Sequence, residues 1–186
     1  DAPNNYTASL VNTGLDGRYT YSGGSVHFNY GYDFTKRNYV SQYGEFATSG
    51  KFNHAEAFVN HSFSKYVQMV AGLSYQTYSI KEPDTANNIL SPYASFFFHT
   101  NNGWNIELGG RFNHHNKYGD NVTYSFNPSY DFNSNWKLFV NIASAYHVPS
   151  LYQLYGEYGN KKLHPEETQN IEAGIQFKAI KTIARL

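Results

Sequence analysis

The sequence predicts an all-β protein, a partial antiparallel up-and-down transmembrane β-barrel. Three observations lead to this fold class: long segments alternate apolar and polar residues, tight turns alternate with longer polar links, and aromatic residues gather near segment ends. Aromatic residues make up 18% of the chain and charged residues only 15%, against roughly 25% charged in an average soluble domain. No run approaches the ~20 apolar residues of a transmembrane helix, and no segment has a helical repeat.

The alternation defines about nine strands. In one of them Val122, Tyr124 and Phe126 are interleaved with Thr123 and Ser125. A tilted membrane strand needs roughly 9–11 residues, whereas strands of soluble sheets usually have about 5–6, and the length of these segments favours a membrane barrel. The predicted strands lie at about 6–20, 26–34, 52–63, 67–80, 91–100, 104–112, 122–132, 136 onward and 168–178.

The connections between strands alternate in length. Tight turns are predicted at 22–24, 64–66, 101–103 and 133–135, and longer polar links at about 35–51, 81–90, 117–121 and 147–167. Membrane barrels have short turns at one rim and long loops at the other, so this parity supports the same fold class. The aromatic residues at strand ends match the girdles of such barrels, although they would also suit a soluble β-sandwich core.

The strand count predicts an incomplete barrel. Bacterial single-chain barrels have even numbers of strands, whereas about nine are found here, and no return strand follows the last. Alternation also stops after Lys178. We therefore expect a partial barrel domain over residues 1–178 and an irregular tail over 179–186.

The charge balance and the histidines exclude several function classes. Lysine plus arginine equals aspartate plus glutamate, 14 each, so nothing suggests a nucleic-acid partner. His114 and His115 are adjacent, and His54 and His61 are seven residues apart; both pairs point to opposite faces of a strand. We therefore predict no metal site and no cofactor. No nucleophile has a plausible base, and we predict that the chain is not an enzyme.

One segment carries a specific motif. It reads Ala145-Tyr-His-Val-Pro-Ser-Leu-Tyr-Gln-Leu-Tyr-Gly156 and, after a short gap, Gly159-Asn-Lys-Lys-Leu-His-Pro-Glu-Glu-Thr168. Pro149 ends a strand because it cannot donate to the ladder, and Pro165 turns the chain toward the next strand. The segment resembles TonB-dependent outer-membrane receptors, on the positions Pro149, Leu151, Leu154, Tyr155, Gly159, Asn160, Leu163, Pro165 and Glu166.

The resemblance implies a complete protein of the bacterial outer membrane with a 22-stranded barrel and an N-terminal plug domain, which is absent from this chain. The implied partners are outer-membrane lipid, the plug of the same protein, the TonB complex acting through the missing N-terminal part, and the substrate. The implied function is active uptake of a scarce, large nutrient. His147-Val148-Pro149 and Asn160–Leu163 depart from the haem-uptake subgroup, which argues against haem as the substrate. The segment Ser150–Tyr155 is more similar to cobalamin-type receptors, which share it with siderophore receptors, so a corrinoid ranks first and a ferric siderophore second.

The site predictions follow from the same resemblance. Candidate ligand-binding residues in the motif loop are His147, Tyr152, Tyr155, Tyr158 and His164; a loop that only shapes the rim is the alternative. Glu107 and Arg111 share a strand face with Asn105 and Asn113, and that face would be the lumen. They are candidates for contact with the plug, with simple solvation of the lumen as the alternative.

Two other function classes stay open at this point. One is a passive or structural outer-membrane barrel. The other is a soluble, aromatic-rich β-sandwich that acts as a binding module. In a membrane barrel the apolar residues of each strand lie on the outside, whereas in a sandwich they meet in a dry interior between two layers. The position of the apolar residues therefore separates the membrane and soluble classes.

Overall fold

The computed structural model describes residues 4–42, 44–82, 84–156, 158–179 and 182–185. They form one sheet of ten strands in consecutive order, and every neighbouring pair is antiparallel. No helix in these ranges is long and apolar enough to cross a membrane. The elements are β1 Asn5–Tyr21, β2 Gly24–Ser41, β3 Gly44–Ser62, β4 Val67–Lys81, β5 Asp84–His99, β6 Trp104–His115, β7 Gly119–Asp131, β8 Trp136–His147, α1 Leu151–Tyr155, β9 Glu166–Ala179 and β10 Thr182–Arg185.

All nine predicted strands are present, and the tail prediction needs a correction. Thr182–Arg185 forms the short strand β10, antiparallel to the end of β9. The prediction of an irregular tail over 179–186 is therefore wrong for these four residues and for Ala179, the last residue of β9. The reason is that backbone pairing requires no alternation of side chains, and alternation was the signal that stopped. Ile180, Lys181 and Leu186 lie outside the described residues.

Two of the predicted long links are continuations of strands. Over 35–51, β2 and β3 stay paired from Phe34 and Lys51 to Ser41 and Gly44. Over 81–90, pairing of β4 with β5 continues to Lys81 and Asp84. Here apolar residues such as Tyr39, Val40 and Phe46 no longer alternate regularly with polar ones, so the side-chain pattern fades while the backbone ladder persists. Of the four predicted links, the one after β8 remains a long connection, between His147 and Glu166.

The sheet is apolar on the outside. Among the described residues the buried leucines are Leu151 and Leu154, both in α1, and Pro149 just before the helix is buried as well. The buried polar side chains are Ser25, Ser74, Asn87, Ser91, Asn113 and His115. Large exposed apolar side chains lie along the strands, among them Leu15, Val26, Phe28, Leu73, Leu108, Val122, Phe126, Leu138 and Ile171. This distribution confirms the barrel prediction, and the single layer rules out the β-sandwich.

The polar face is internally hydrogen-bonded. The hydroxyl of Ser91 donates to Asn113 Oδ1 at 2.8 Å, and the phenol of Tyr93 donates to Glu56 Oε1 at 2.8 Å. Buried polar groups need such partners. A cavity on this side is lined from Asp33 in β2 to His147 in β8, which shows that the sheet curls around its polar face. The polar face is therefore the lumen side, and the apolar face is the exterior.

Gly72 allows a close approach of side chains on the polar face. A Cβ at this position would lie 2.6 Å from Phe58 Cβ, 2.8 Å from the Ala57 carbonyl oxygen and 2.8 Å from the Tyr93 ring. We expect Gly72→Ala to destabilise the barrel by about 1–3 kcal/mol, because the Ala57 backbone cannot move aside. Thermal unfolding of the protein in detergent measures the effect. Gly31→Ala is the matched control, since nothing lies within 4 Å of its Cβ position.

In the control, Gly31→Ala is expected to leave the unfolding temperature unchanged or slightly raised, because alanine restricts the unfolded chain. Equal unfolding temperatures for the two variants would contradict the packing seen around Gly72.

Candidate ligand site at the loop rim

The connection 148–165, here called the rim strap, starts with a capped helical turn. Pro149 follows the end of β8, and Ser150 is the N-cap of α1. Ser150 Oγ accepts from the Gln153 backbone N–H at 3.2 Å, and Gln153 Oε1 accepts from the Ser150 backbone N–H at 2.8 Å. This reciprocal capping box satisfies N–H groups that have no partner within the helix. The serine and glutamine of the motif therefore shape the strap.

The rim strap is anchored by its leucines. Leu154 is 1% exposed and Leu151 7% exposed, and α1 lies against β4. The chain then folds back on α1, where the Asn160 backbone N–H donates to the Gln153 carbonyl oxygen at 2.8 Å. A Cβ at Gly159 would lie 2.8 Å from both Leu154 C and Tyr155 N, so only glycine fits there. These motif residues hold the strap over the polar face of the sheet.

A cavity of about 690 Å³ lies between the rim strap and the polar face. Its wall is formed by strands from β2 to β8 and by the strap itself. Lining residues include Asp33, Tyr78, Arg111, Asn113, His147 and Tyr152. The wall thus combines charged, amide and aromatic side chains, which suits a ligand with both polar groups and flat apolar surfaces.

A basic and aromatic cluster surrounds Tyr155, the last residue of α1. The ammonium groups of Lys117 and Lys161 lie 5.3 and 5.4 Å from the centre of the Tyr155 ring. Hydrogen bonds from the Thr85 hydroxyl and, second, from Lys117 lower the pKa of Tyr155 below its usual value. Lys117 also lies over the Tyr118 ring, at 5.2 Å. Neither lysine forms an ion pair with a described carboxylate.

The five candidate ligand residues fall into three places. His147 and Tyr152 line the cavity, and Tyr152 is 70% exposed. Tyr155 is the centre of the basic and aromatic cluster. Tyr158 is 91% exposed, and both it and His164 lie apart from the cavity wall formed by the described residues. The fold therefore brings three of the five candidates, His147, Tyr152 and Tyr155, to one end of the sheet. This region, made of the cavity and the cluster around Tyr155, is here called the rim site.

Glu107 and Arg111 differ in their surroundings on the polar face. Glu107 Oε2 accepts from Asn127 Nδ2 at 3.3 Å. Arg111 lies with its guanidinium carbon 4.6 Å from the centre of the Tyr93 ring and lines the cavity. Arg111 is thus open to the lumen above an aromatic platform, which is a favourable position for a cation.

Two lysines of the rim site were missed by sequence reasoning. Lys117 lies 38 residues from Tyr155 along the chain, and no sequence pattern links them. Lys161 belongs to the motif segment, between Asn160 and Leu163. Its positive charge within the candidate ligand loop was the signal that could have identified it. Among the parts of the chain that the structure describes, no three histidine, aspartate or glutamate side chains are grouped as metal ligands.

Comparisons with known proteins agree on the fold. The ferric enterobactin receptor PfeA of Pseudomonas aeruginosa superposes with a TM-score of 0.86 at 19% identity, over 97% of this chain and 34% of that one. The siderophore receptor PirA of the same organism gives 0.87 at 23%, over 97% and 38%. The iron transporter FrpB of Neisseria meningitidis gives 0.79 at 14%, over 99% and 35%. The chain spans about a third of each of these proteins.

A family model described as "TonB dependent receptor-like, beta-barrel" matches residues 1–184. The match covers nearly the whole chain and agrees with the outward apolar face and the consecutive antiparallel strands. The chain belongs to the family of TonB-dependent receptor β-barrels.

Proposed function

We propose that this chain forms part of the barrel wall of an outer-membrane receptor that actively imports a ferric siderophore. The observation that carries the proposal is the reversed polarity of the sheet, with leucine, valine, isoleucine and phenylalanine outside and serine, asparagine and histidine buried on the lumen side. Such a surface is stable where hydrocarbon replaces water at the exterior. Membership of the receptor family and the siderophore receptors among its structural relatives support an import function.

The rim site favours a siderophore over a corrinoid and so reverses the order drawn from the sequence. Lys117 and Lys161 offer two ammonium groups without carboxylate partners around the Tyr155 phenol. An iron chelate built from catecholates carries several negative charges and flat rings, which match ammonium and aromatic groups. A corrinoid carries little net charge and would gain less from the two lysines.

Transport would proceed from the rim to the lumen. In this proposal the substrate binds near Tyr152 and Tyr155, and the plug of the complete receptor fills the lumen beneath. Arg111, above the Tyr93 ring, and Glu107, beside Asn127, are our candidates for contact with the plug. The proton motive force, relayed by the TonB complex, would remodel the plug and release the substrate into the periplasm.

The lysine pair provides the test. In the full receptor, Lys117→Met combined with Lys161→Met is expected to weaken binding of a ferric tricatecholate by about ten- to a hundredfold, since two charge-assisted contacts are lost. Quenching of intrinsic fluorescence measures the affinity, and uptake of radioactive iron by whole cells measures transport. Lys65→Met is the matched control, because Lys65 likewise lies over a tyrosine ring, at 4.8 Å, but in the turn after β3.

Three outcomes would count against this proposal. Unchanged tricatecholate affinity in the double variant would remove the rim site from substrate binding. Tight binding of a corrinoid, unaffected by the two substitutions, would restore the first-ranked substrate of the sequence analysis. Ion conductance through the purified receptor in planar bilayers, without any dependence of uptake on TonB, would favour a passive barrel.

A further inference from the structure

The turn between β6 and β7, residues 116–118, contacts the rim strap at two points. The Lys117 ammonium lies 3.5 Å from the Tyr155 hydroxyl oxygen. One residue later, the Tyr118 hydroxyl donates to the carbonyl oxygen of Leu163 at 3.4 Å. The position of Lys117 in the rim site therefore depends on the shape of this turn.

The shape of the turn is fixed by the side chain of His115, the last residue of β6. Its Nδ1 accepts from the backbone N–H of Lys117 at 3.0 Å and from the backbone N–H of Tyr118 at 3.2 Å. A backbone N–H can only donate, so Nδ1 carries no proton and the imidazole is the neutral tautomer with its proton on Nε2. One lone pair thus serves two consecutive N–H groups of the turn.

The first residue of the turn is held separately from the imidazole. The Asn116 backbone N–H donates to the Asn88 carbonyl oxygen at 3.1 Å, and Asn116 Oδ1 accepts from the Asn88 backbone N–H at 3.0 Å. This pair ties the turn to β5. Loss of the imidazole acceptor is therefore expected to loosen Lys117 and Tyr118 without unpairing the strands.

His115 is enclosed by uncharged groups. It is 2% exposed, and its ring lies against Tyr118 with 4.9 Å between the ring centroids. Its register partners are Ile89 on β5 and Gly119 on β7. A proton added to this ring would not reach water and would find no anion on the neighbouring strands.

The charges around His115 disfavour its protonation further. Lys117 on the turn and His114 beside it in the sequence are the nearest cationic groups. Of the described carboxylates none is within ion-pair distance of His115, and Asp120 instead contacts His114 at 2.5 Å. Other titratable groups of the cavity wall and the strap are Asp33, Lys51, Tyr78, Arg111, Tyr146, His147, Tyr152 and Tyr155.

The titration of His115 has a definite sign. On the exterior of β6 the last apolar residue is Phe112, and the polar pair of His114 with Asp120 follows it, so the end of the strand lies beyond the hydrocarbon. Burial, then the charge of Lys117 and then that of His114 lower the pKa of His115 below its usual value. Because the anchored turn requires the neutral ring, it is fully formed above this pKa and is lost as the pH falls through it.

We infer that His115 is a positioning residue of the rim site and makes ligand binding sensitive to acid. The neutral imidazole holds the turn in which Lys117 meets Tyr155. A proton added to Nδ1 occupies the lone pair and turns the acceptor into a donor aimed at two N–H groups, so both hydrogen bonds break and Lys117 is released. The inference rests on the proposed function, because it takes the rim site to be the site of the substrate.

The test compares ferric tricatecholate binding by the full receptor at about pH 7.5 and about pH 5, a range in which histidine can change its charge. Affinity is measured by fluorescence quenching. We expect the unmodified receptor to bind about tenfold more weakly at the lower pH, because the contact with Lys117 is lost. The acid sensitivity of the chelate itself is common to all variants and cancels when they are compared.

Three variants separate the imidazole acceptor from its proton. In His115→Asn an amide oxygen takes the place of Nδ1 and does not titrate, so binding should be normal at the higher pH and largely keep its strength at the lower pH. His115→Leu removes the acceptor and should bind about tenfold more weakly at both pH values. His114→Asn is the matched control, since His114 faces Asp120 on the exterior, and it should keep the full acid sensitivity.

Amide hydrogen exchange across 116–119 reports on the turn without any ligand. Rates are divided by those of an unfolded peptide at the same pH. In the unmodified receptor, protection of this segment should fall about tenfold at the lower pH, whereas in His115→Asn it should persist. Protection within β6 and β7 should stay constant, which distinguishes opening of the turn from unfolding of the barrel.

Two results overturn the inference. They are equal acid sensitivity of His115→Asn and the unmodified receptor, and full affinity of His115→Leu at the higher pH. Failure of the unmodified receptor to bind the tricatecholate at either pH contradicts the proposed function instead, and the exchange measurement still decides whether neutral His115 holds the turn.

Discussion

An arginine in place of Leu108 is expected to prevent stable insertion of the receptor into the membrane. Leu108 is 51% exposed on the exterior, between Phe96 and Phe126, its register partners on the neighbouring strands. A guanidinium there would face hydrocarbon without a partner, at a cost of about 2–4 kcal/mol near the middle of a bilayer. Folding into lipid vesicles, followed by the shift of the folded barrel on an unheated gel, measures the folded fraction.

Asn127→Arg is the matched control on the opposite face. Asn127 is the register partner of Glu107 and already donates to its carboxylate. An arginine there stays on the lumen side next to a negative charge, and we expect the folded fraction to remain close to that of the unmodified receptor. If Leu108→Arg folded as well as Asn127→Arg, the exterior face would not meet lipid, and the membrane placement would lose its main support.

The strands could be predicted because any strand with one apolar and one polar face alternates in sequence, whether the apolar face meets lipid or a protein core. Trp104, Ile106, Leu108 and Phe112 alternate with polar residues in the sequence, and the structure places Leu108 and Phe112 among the exposed apolar side chains. Alternation alone does not say which face is outside. In this chain strand length indicated that the apolar face is outside, because strands of 12–19 residues are longer than those usual in soluble sheets.

The extent of the hairpins could not be predicted. Beyond Phe34 and Lys51 apolar and polar side chains no longer alternate regularly, although the backbone ladder continues to Ser41 and Gly44. Hydrophobic patterning identifies a strand only where apolar and polar side chains alternate, and it gives no signal where the strand continues without alternation. The same limit explains why β10 was expected to be irregular.

Only the local features of the site could be predicted from the sequence, and contacts between distant segments could not. Pro149 and Pro165 marked the ends of the loop correctly, because proline restricts the backbone locally. The inward packing of Leu151 and Leu154 could not be read from the sequence, since two leucines three residues apart do not define a helical face. The contact of Lys117 with Tyr155 joins separate loops, so only the fold reveals it.

Truncation of Leu154 to alanine is expected to release the rim strap while leaving the barrel folded. Leu154 is 1% exposed, and removing most of a buried leucine costs about 2–5 kcal/mol of the stability of the region it anchors. The pairing of β8 with β9 does not depend on the strap, and α1 contacts the sheet at β4, so the loss should appear as local opening. Amide hydrogen exchange across 151–156 should accelerate by roughly thirtyfold or more, as measured by mass spectrometry on the full receptor.

Tyr152→Ala, in the same helical turn, separates anchoring from ligand contact. Tyr152 is 70% exposed and lines the cavity, so its loss should leave exchange across 151–156 nearly unchanged. If the strap holds Tyr155 between Lys117 and Lys161, Leu154→Ala should also weaken tricatecholate binding, although Leu154 itself is not accessible. Slow exchange in Leu154→Ala would mean that the capping box at Ser150 and the backbone contacts of Gly159 and Asn160 suffice to hold the strap, and that the leucine only fills space.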